Sequence, residues 1–343
     1  MGLFTTDKDF FGLDIGNSAV RLVQLKKGGS RPSLVAYGKA NIPVGIAQSD
    51  SKIDLQNLAQ IIKELTIKTR VSTKNVVVAL PGSAVFTAVV KLPYMTQSEL
   101  AKAIQYQAEQ NIPLKLKDVK IDWQVIKQDP ATKEMAVMII AAPSGKVERM
   151  LTIMDFAGLE VESLETSPIA MARSLISATD PLVMILDIGA TSTEMAIVEN
   201  GVISHTRSLP AAGQAFTRAI SQNLGLDPEQ ADQFKMRFGL SQDKLEGQVY
   251  KTIKPILNNI VDEIERSIAF YAEQFGGNVS KIVLSGGSAR LPEMISYLKS
   301  ELKIEVQLGN PWAFVSYPAN FTEQLQSNSF DFGVAVGLAM RDN

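Results

Sequence analysis

The chain has 343 residues and a mass of 37.3 kDa, enough for about two domains and for a core that needs no covalent staples. Lys plus Arg total 34 against 36 Asp plus Glu, and a net charge of −2 excludes the overall basic footprint of a general nucleic-acid binder. With no cysteine and only His205, the sequence also excludes disulfides, thiolate zinc sites and a cysteine nucleophile, and leaves little for a multi-histidine metal or a Ser-His-Asp triad.

Met1 to Phe10 lack the apolar stretch of a signal peptide. Residues 10–25 then alternate around a break at Asp14-Ile15-Gly16-Asn17, which predicts two strands and a tight turn. A third strand is expected over Ser33–Asn41. A helix follows over Asp54–Thr66, with Leu55, Leu58, Ile61, Ile62 and Leu65 on one face. Asn75–Leu80 reads as a buried strand stopped by Pro81-Gly82. A second style begins with a strand over Val85–Leu92. Thr96 and Glu99 have the spacing of a capping box and open a helix to about Asn111. Strands are expected over Val119–Lys127 and Glu134–Ala142, then a helix over Gly145–Ala157 capped by Ser144 and ended by Gly158. This stretch, 83–160, reads as an inserted α+β unit.

Beyond it, Thr166–Ala178 is expected to be helical, and Leu182–Leu186 is a strand running into Asp187-Ile188-Gly189-Ala190 with a hairpin partner at Glu194–Glu199. Helices are expected over Gly213–Asn223, Asp227–Phe238 and Lys251–Phe275, the last carrying Ile256, Ile260, Ile264 and Ile268 toward the core. The strand Lys281–Leu284 leads into Ser285-Gly286-Gly287-Ser288, and helices follow over Pro292–Glu301 and Phe332–Met340. Trp123 and Trp312 are expected to pack, and His205 to lie in a loop or strand end without a catalytic role. No apolar run approaches the roughly 20 residues that span a bilayer, and the C-terminal residues 333–343 carry no basic amphipathic anchor. The chain reads as cytoplasmic.

Residues 13–28 align with 186–201 without a gap. Leu13/Leu186, Asp14/Asp187, Ile15/Ile188, Gly16/Gly189 and Gly28/Gly201 are identical, and Ser18/Thr191 preserves a hydroxyl. A repeat separated by half the chain predicts two related halves facing each other. Glycine after an apolar strand lets a phosphate approach the backbone, and successive N–H groups in such a turn cradle an anion. Ser18, Thr191, Ser192 and Thr193 can add hydroxyl donors. Carboxylates at both strand ends, Asp14 and Asp187, suit a hydrated Mg²⁺ between protein and phosphate. A single Asp-x-Gly is more often a plain turn; its duplication is what points to phosphate. The glycines of Ser285–Ser288 let a flat ligand lie against the backbone, although tight strand-to-helix connections use the same residues.

The order Asp-Ile-Gly, Asp-Ile-Gly, Ser-Gly-Gly-Ser resembles the actin/Hsp70/sugar-kinase ATPase superfamily. FGLDIGNSAVRLVQL at 11–25, VALPGSAVFTAVVKL at 78–92, Asn111-Ile112-Pro113 and DFGVAVGLAMR at 331–341 narrow the resemblance to the PilM family of type IV pilus assembly. That resemblance covers nearly the whole chain. It implies an α/β, actin-like (ribonuclease H-like) ATPase fold of two related halves with an inserted FtsA-like 1C subdomain of the SHS2 type. It divides the chain into 8–82 (subdomain 1A), 83–160 (1C), 161–181 (1A again), 182–211 (2A), 212–278 (2B), 279–330 (2A again) and 331–343 (a helix returning to 1A).

The resemblance also implies ATP with Mg²⁺ as cofactors. Asp14, Gly16, Asn17, Ser18 and Arg21 would form the first phosphate loop, and Asp187, Gly189, Ala190 and Thr191 the second. Asp187, with Asp14, would sit on the Mg²⁺ side through water. Gly286, Gly287 and Ser288 would border the adenosine, Gly213 the ribose and phosphates, and Asp232 and Lys235 the ribose and adenine. Arg266 is expected either near adenosine or in a surface ion pair. Where hydrolytic relatives place Glu or Gln before a proline, this chain has Ser167 before Pro168. Glu165 is the remaining catalytic candidate, read more simply as a solvated carboxylate at a helix start. The expected activity is ATP binding with slow or absent hydrolysis.

The implied role is an adaptor at the inner membrane, docking the N-terminal cytoplasmic peptide of a PilN-like membrane protein. The pilus motor ATPases and a second copy of the chain are further candidate partners, without nucleic acid or direct membrane insertion. The competing readings are an FtsA-like filament-forming division or cytoskeletal protein, and a small-molecule kinase, for which no substrate-pocket carboxylate motif is found.

Overall fold

A computed structural model of the chain describes residues 9–29, 31–177 and 179–342. Residues 1–8, Ser30, Ala178 at the end of an expected helix, and Asn343 lie outside them, so the expectations for the N-terminal segment and the last C-terminal residue do too.

The first lobe starts with β1 (Phe11–Ile15), β2 (Ala19–Lys26) and β3 (Ser33–Asn41), followed by α1 (Lys52–Thr69) and β4 (Asn75–Leu80). The insert holds β5 (Phe86–Pro93), α2 (Gln97–Asn111), β6 (Val119–Asp129) and β7 (Glu134–Pro143). The chain returns through α3 (Ser144–Ala157), β8 (Glu160–Thr166) and α4 (Ser167–Leu175). The second lobe contains β9 (Leu182–Ile188), β10 (Thr193–Glu199), β11 (Val202–Leu209), α5 (Gly213–Leu224), α6 (Pro228–Phe238), α7 (Gln248–Phe275), β12 (Lys281–Ser285), α8 (Met294–Leu302) and β13 (Glu305–Leu308). The short α9 (Thr322–Ser327) and α10 (Gly333–Ala339) complete the order.

The two lobes carry the same sheet. One is ordered β3-β2-β1-β4-β8 and the other β11-β10-β9-β12-β13, each with three antiparallel strands followed by two parallel ones. The sixteen-residue repeat therefore marks the first hairpin of two equivalent sheets.

Burial on both faces explains the unbroken apolar strands. In β4, Val76, Val78 and Leu80 face α1 and α3, while Val77 and Ala79 face Ala170 and Leu338. In β9, Leu182, Met184, Leu186 and Ile188 face α7, while Val183 and Ile185 face α4 and the insert. Ile260 and Ile264 are fully buried in that α7 core, and Ile256 and Ile268 pack at its margin. Helix α10 lies against α4 and β1 without intervening side chains: a Cβ on Gly337 would fall 1.8 Å from the Ala170 carbonyl oxygen, and one on Gly12 2.4 Å from that of Ala335.

The three-stranded insert, ordered β5-β7-β6, buries one face under α2 through Val90, Val137, Ile139, Ala141, Leu100 and Ile104. The capping box at Thr96 and Glu99 is formed. The other face, with Val89, Met138 and Ile140, packs on Val183, Ala196 and Ile203 of the second lobe. The Thr87 and Thr206 hydroxyls meet at 2.9 Å across this contact. Helix α3, counted at the end of the insert, packs with α1 on the first lobe.

Several expectations are corrected. Strands β8, β11 and β13 went unmarked: β8 and β13 are sheet edges with few apolar residues, and β11, at an opposite edge, carries a run of polar residues from Ser204 to Ser208. Ser144 is the first residue of α3, and its hydroxyl caps nothing. The helix expected from Pro292 starts at Met294, because Glu293 adopts a left-handed conformation with φ 63°. Trp123 stands half exposed, while Trp312 is buried among Tyr37 and Phe332. His205 lies within β11, against Phe270 at 5.0 Å, and burial pushes its imidazole down to about 4.

Candidate functional site

The two lobes enclose a cleft of about 830 Å³, in the size range of small-molecule sites. Asp14, Gly16, Asn17, Ser18, Arg21, Asp187, Gly189, Ala190, Thr191, Gly213, Asp232, Lys235, Gly286, Gly287 and Ser288 all line it. Of the further candidates, Ser192 lines it too, while Thr193 is buried with its hydroxyl donating to the Ala211 carbonyl at 2.6 Å.

Both repeated turns close the same way. Gly16 N–H donates to the Ala19 carbonyl and Gly189 N–H to the Ser192 carbonyl, each at 3.0 Å. Across the gap, Asn17 Nδ2 donates to Thr191 Oγ1 at 2.7 Å. The N-terminus of α5 is fastened to the second turn by Gly213 N–H to Gly189 O (3.1 Å) and Gln214 N–H to Ala190 O (2.8 Å). This places the N-terminus of α5, the positive end of its dipole, at the cleft, with its first N–H groups already held by carbonyls of the second turn and of Ala212. Gly286 is held at φ +88°, where a Cβ would lie 2.5 Å from the Ile188 carbonyl oxygen. Gly287 beside it faces open space.

On the second lobe, Lys235 is buried and donates to Thr217 Oγ1 at 2.8 Å, to the Gly213 carbonyl at 3.3 Å and to Asp232. Asp232 also accepts from Thr217 at 3.0 Å. This closed network fixes the facing sides of α5 and α6.

The floor carries a row of charges. Asp14 pairs with Arg21 across β1 and β2, and Arg21 with Lys39 across β2 and β3. Burial raises the Asp14 carboxyl, with the Arg21 guanidinium pulling the other way. Asp187 is pushed up to about 6, mainly by burial and then by the neighbouring Asp14 charge. Glu194, on β10 opposite Asp187, is pushed up to about 8 by burial and by Asp187. Its Oε1 accepts from Ser83 N–H at 3.3 Å, where the chain enters the insert. Among the described residues, Glu194 Oε2 and Arg21 Nε are buried without a hydrogen-bond partner. Orphaned polar atoms on the cleft wall fit a polar ligand.

Sequence reasoning missed Glu194, Lys39, Asp331, Thr217 and Arg218 on this wall. Glu194 carried a signal, since it lies on the second repeat seven residues after Asp187. Asp331 opens the quoted motif at 331–341, but nothing in that motif placed it at the cleft.

Glu165 does not belong to the cleft. Arg173 grips both its oxygens at 3.0 and 3.1 Å, and Arg341 lies 3.0 Å away. Its side chain is 11% exposed, so the solvated helix-start carboxylate expected from the sequence is corrected to a clamped one. Arg266 pairs with Glu263 at 2.7 Å and stays outside the cleft. Ser167 does line it, with its hydroxyl donating to the Leu80 carbonyl at 3.3 Å. Among the described residues no group of three or more potential ligand side chains could hold a metal alone. No helix among them is long and apolar enough to cross a membrane.

Known proteins share this architecture. Cell division protein FtsA of Neisseria meningitidis is 24% identical over 85% of this chain and 73% of its own length. MreB 5 of Spiroplasma citri, solved with AMPPNP, superposes with a TM-score of 0.54 at 15% identity, over 96% of this chain and 95% of that one. These show the actin-like fold. A PilM-PilN type IV pilus biogenesis complex contains a chain that superposes with a TM-score of 0.85 at 30% identity, covering 97% of this chain and 98% of that one. The family model described as type IV pilus assembly protein PilM matches residues 12–343, and the chain belongs to that family.

Proposed function

We propose that this chain is an ATP-binding adaptor of the type IV pilus assembly platform, which docks the N-terminal cytoplasmic tail of a PilN-like inner-membrane protein and reaches the membrane through it. The observation that carries the nucleotide half is the pair of Asp-Ile-Gly turns facing each other across one cleft, joined by Asn17 and Thr191. Backbone N–H groups of the turns, with the positive end of the α5 dipole beside them, would hold phosphates. Asp187, with Asp14, would meet Mg²⁺ through water, since two carboxylates suit a cation that keeps most of its hydration. The open face at Gly287 and the Gly213–Ser288 contact would receive the nucleoside. The adaptor half is supported by the 30% identical relative in a PilM-PilN complex.

Slow or absent hydrolysis follows from the groups nearest the phosphates. Glu194 holds its Oε1 to the Ser83 N–H at the entry to the insert. Ser167 commits its hydroxyl to a backbone carbonyl.

The test is calorimetric titration with a synthetic N-terminal peptide of the PilN-like protein, with and without Mg·ATP, on the wild type and on Asp187→Ala. Saturable binding is expected, with an affinity that depends on nucleotide in the wild type and loses that dependence in the variant. No peptide binding in any nucleotide state would overturn the adaptor reading. Absence of heat with Mg·ATP alone would overturn the nucleotide reading.

A further inference from the structure

Asp331 occupies a position that an anion would take. Its Oδ1 accepts from Arg21 Nη2 at 2.9 Å and its Oδ2 from Lys39 Nζ at 2.5 Å, so two carboxylate oxygens satisfy two different cations. All three residues line the cleft. The side chains of Arg21 and Asp331 are 9% and 4% exposed, whereas that of Lys39, on the edge strand β3, is 34% exposed. Arg21 also lies beneath the first repeated turn: a Cβ on Gly16 would sit 3.0 Å from its Nη1, and its Nε has no partner. The cationic pair therefore adjoins the turn read above as a phosphate loop.

We infer that Arg21 and Lys39 form an anion subsite for which Asp331 competes with the terminal phosphate of a nucleoside triphosphate. This rests on the nucleotide reading. The terminal phosphate is the one concerned because the nucleoside side of the cleft, Gly213 and Gly286–Ser288, belongs to the second lobe, while Arg21 and Lys39 belong to the first. The phosphate farthest from the sugar reaches across.

The exchange is a matter of charge balance. Asp14, Arg21, Lys39 and Asp331 sum to zero, so the subsite attracts an anion only as Asp331 yields Lys39. Asp331 thus sets the preference between tri- and diphosphate and weakens triphosphate binding. It also ties the lobes, because the preceding Phe330 carbonyl accepts from Gly286 N–H at 3.0 Å and from the Ser285 hydroxyl at 3.3 Å. A phosphate that draws Lys39 away from Asp331 would loosen a strap that touches both loops.

Affinities for Mg·AMPPNP and Mg·ADP would be measured on the wild type, Asp331→Asn, Lys39→Met and the double variant. Asp331→Asn should raise the triphosphate-to-diphosphate affinity ratio about tenfold, the scale of one charge-assisted hydrogen bond. Lys39→Met should lower the ratio, and in the double variant it should cancel the gain. If Asp331 serves only as a structural tie, Asp331→Asn weakens both nucleotides together; an unchanged ratio overturns the inference. Should Asp331→Asn fail to fold, Lys39→Met decides alone, since an unchanged ratio in that edge-strand variant overturns it as well. If the wild type binds neither nucleotide, the nucleotide reading falls. Inorganic tripolyphosphate is then titrated into Asp331→Asn: saturable binding lost with Lys39→Met upholds the anion subsite, and no binding overturns it.

Discussion

Asn17 and Thr191 stand 174 positions apart in the chain, yet the amide of one donates to the hydroxyl of the other at 2.7 Å. Each belongs to one copy of the repeated turn, so the bond closes the cleft between the lobes where the two turns meet. A ligand whose phosphates touch both turns would do the same work as this bond.

That equivalence makes a prediction. Asn17→Ala should cost about 1 kcal/mol in the free protein, the usual net value of a hydrogen bond. With saturating Mg·ATP the cost should shrink, because the nucleotide bridges the lobes and adds its own linkage stabilisation. Thermal unfolding with and without nucleotide reads the difference, and an identical cost under both conditions would argue against bridging.

Two glycines should separate folding from binding. Gly337→Ala places a methyl 1.8 Å from the Ala170 carbonyl oxygen and should destabilise the chain by about 3 kcal/mol through overpacking of α10 on α4. Gly287→Ala meets no atom within 4 Å and should leave stability within about 0.5 kcal/mol. It should nonetheless weaken nucleotide binding about tenfold, because the methyl intrudes where a base would lie. Chemical denaturation and nucleotide titration on both variants check the contrast.

The buried carboxylates predict a pH dependence with a definite sign. Glu194 is held near 8 against an ordinary 4.5, so in this window the folded chain binds a proton that the unfolded chain has lost. Its contribution is complete below about 4.5 and falls as pH rises toward 8. Asp187, near 6, adds the same trend between about 4 and 6. Glu194→Gln keeps the neutral shape without the proton and should flatten the upper part of the curve. At pH 8.5 it should be more stable than the wild type by on the order of 2 kcal/mol. Denaturant unfolding from pH 5 to 9 would show this; parallel curves for the two proteins would exclude it.

Glu165 should behave as a structural anchor. It joins β8 to α4 through Arg173 and to the C-terminal end through Arg341, and Arg173 also reaches the Gly337 carbonyl at 2.6 Å. Glu165→Ala strands two arginines and should cost about 2 kcal/mol. Nucleotide affinity should stay unchanged, since the residue does not touch the cleft. A selective loss of binding or hydrolysis at full stability would restore it as a catalytic candidate.

Much of the molecule was legible in one dimension because its signals are local. Strands buried on both faces read as apolar runs, as in β4 and β9, and glycines needed for tight turns stand out wherever they fall. The hairpin repeat at Asp14 and Asp187 announced two equivalent lobes, and the glycine pair at Gly286 a third loop. Edge strands β8, β11 and β13 escaped because an edge needs little apolar surface, although β11 follows β10 directly across the Asn200-Gly201 turn. The placement of Asp331 was invisible for another reason: its meaning depends on Arg21, 310 residues earlier. The sequence by itself determined that two alike hairpins exist and which side chains they present. Only the tertiary structure decided what those side chains face. It set Glu194 against Asp187 in a buried wall that raises its pKa, drew Glu165 away into an arginine clamp, and laid Asp331 on Arg21 and Lys39. Charge pairing and desolvation act through space, and a linear pattern carries neither distance nor burial.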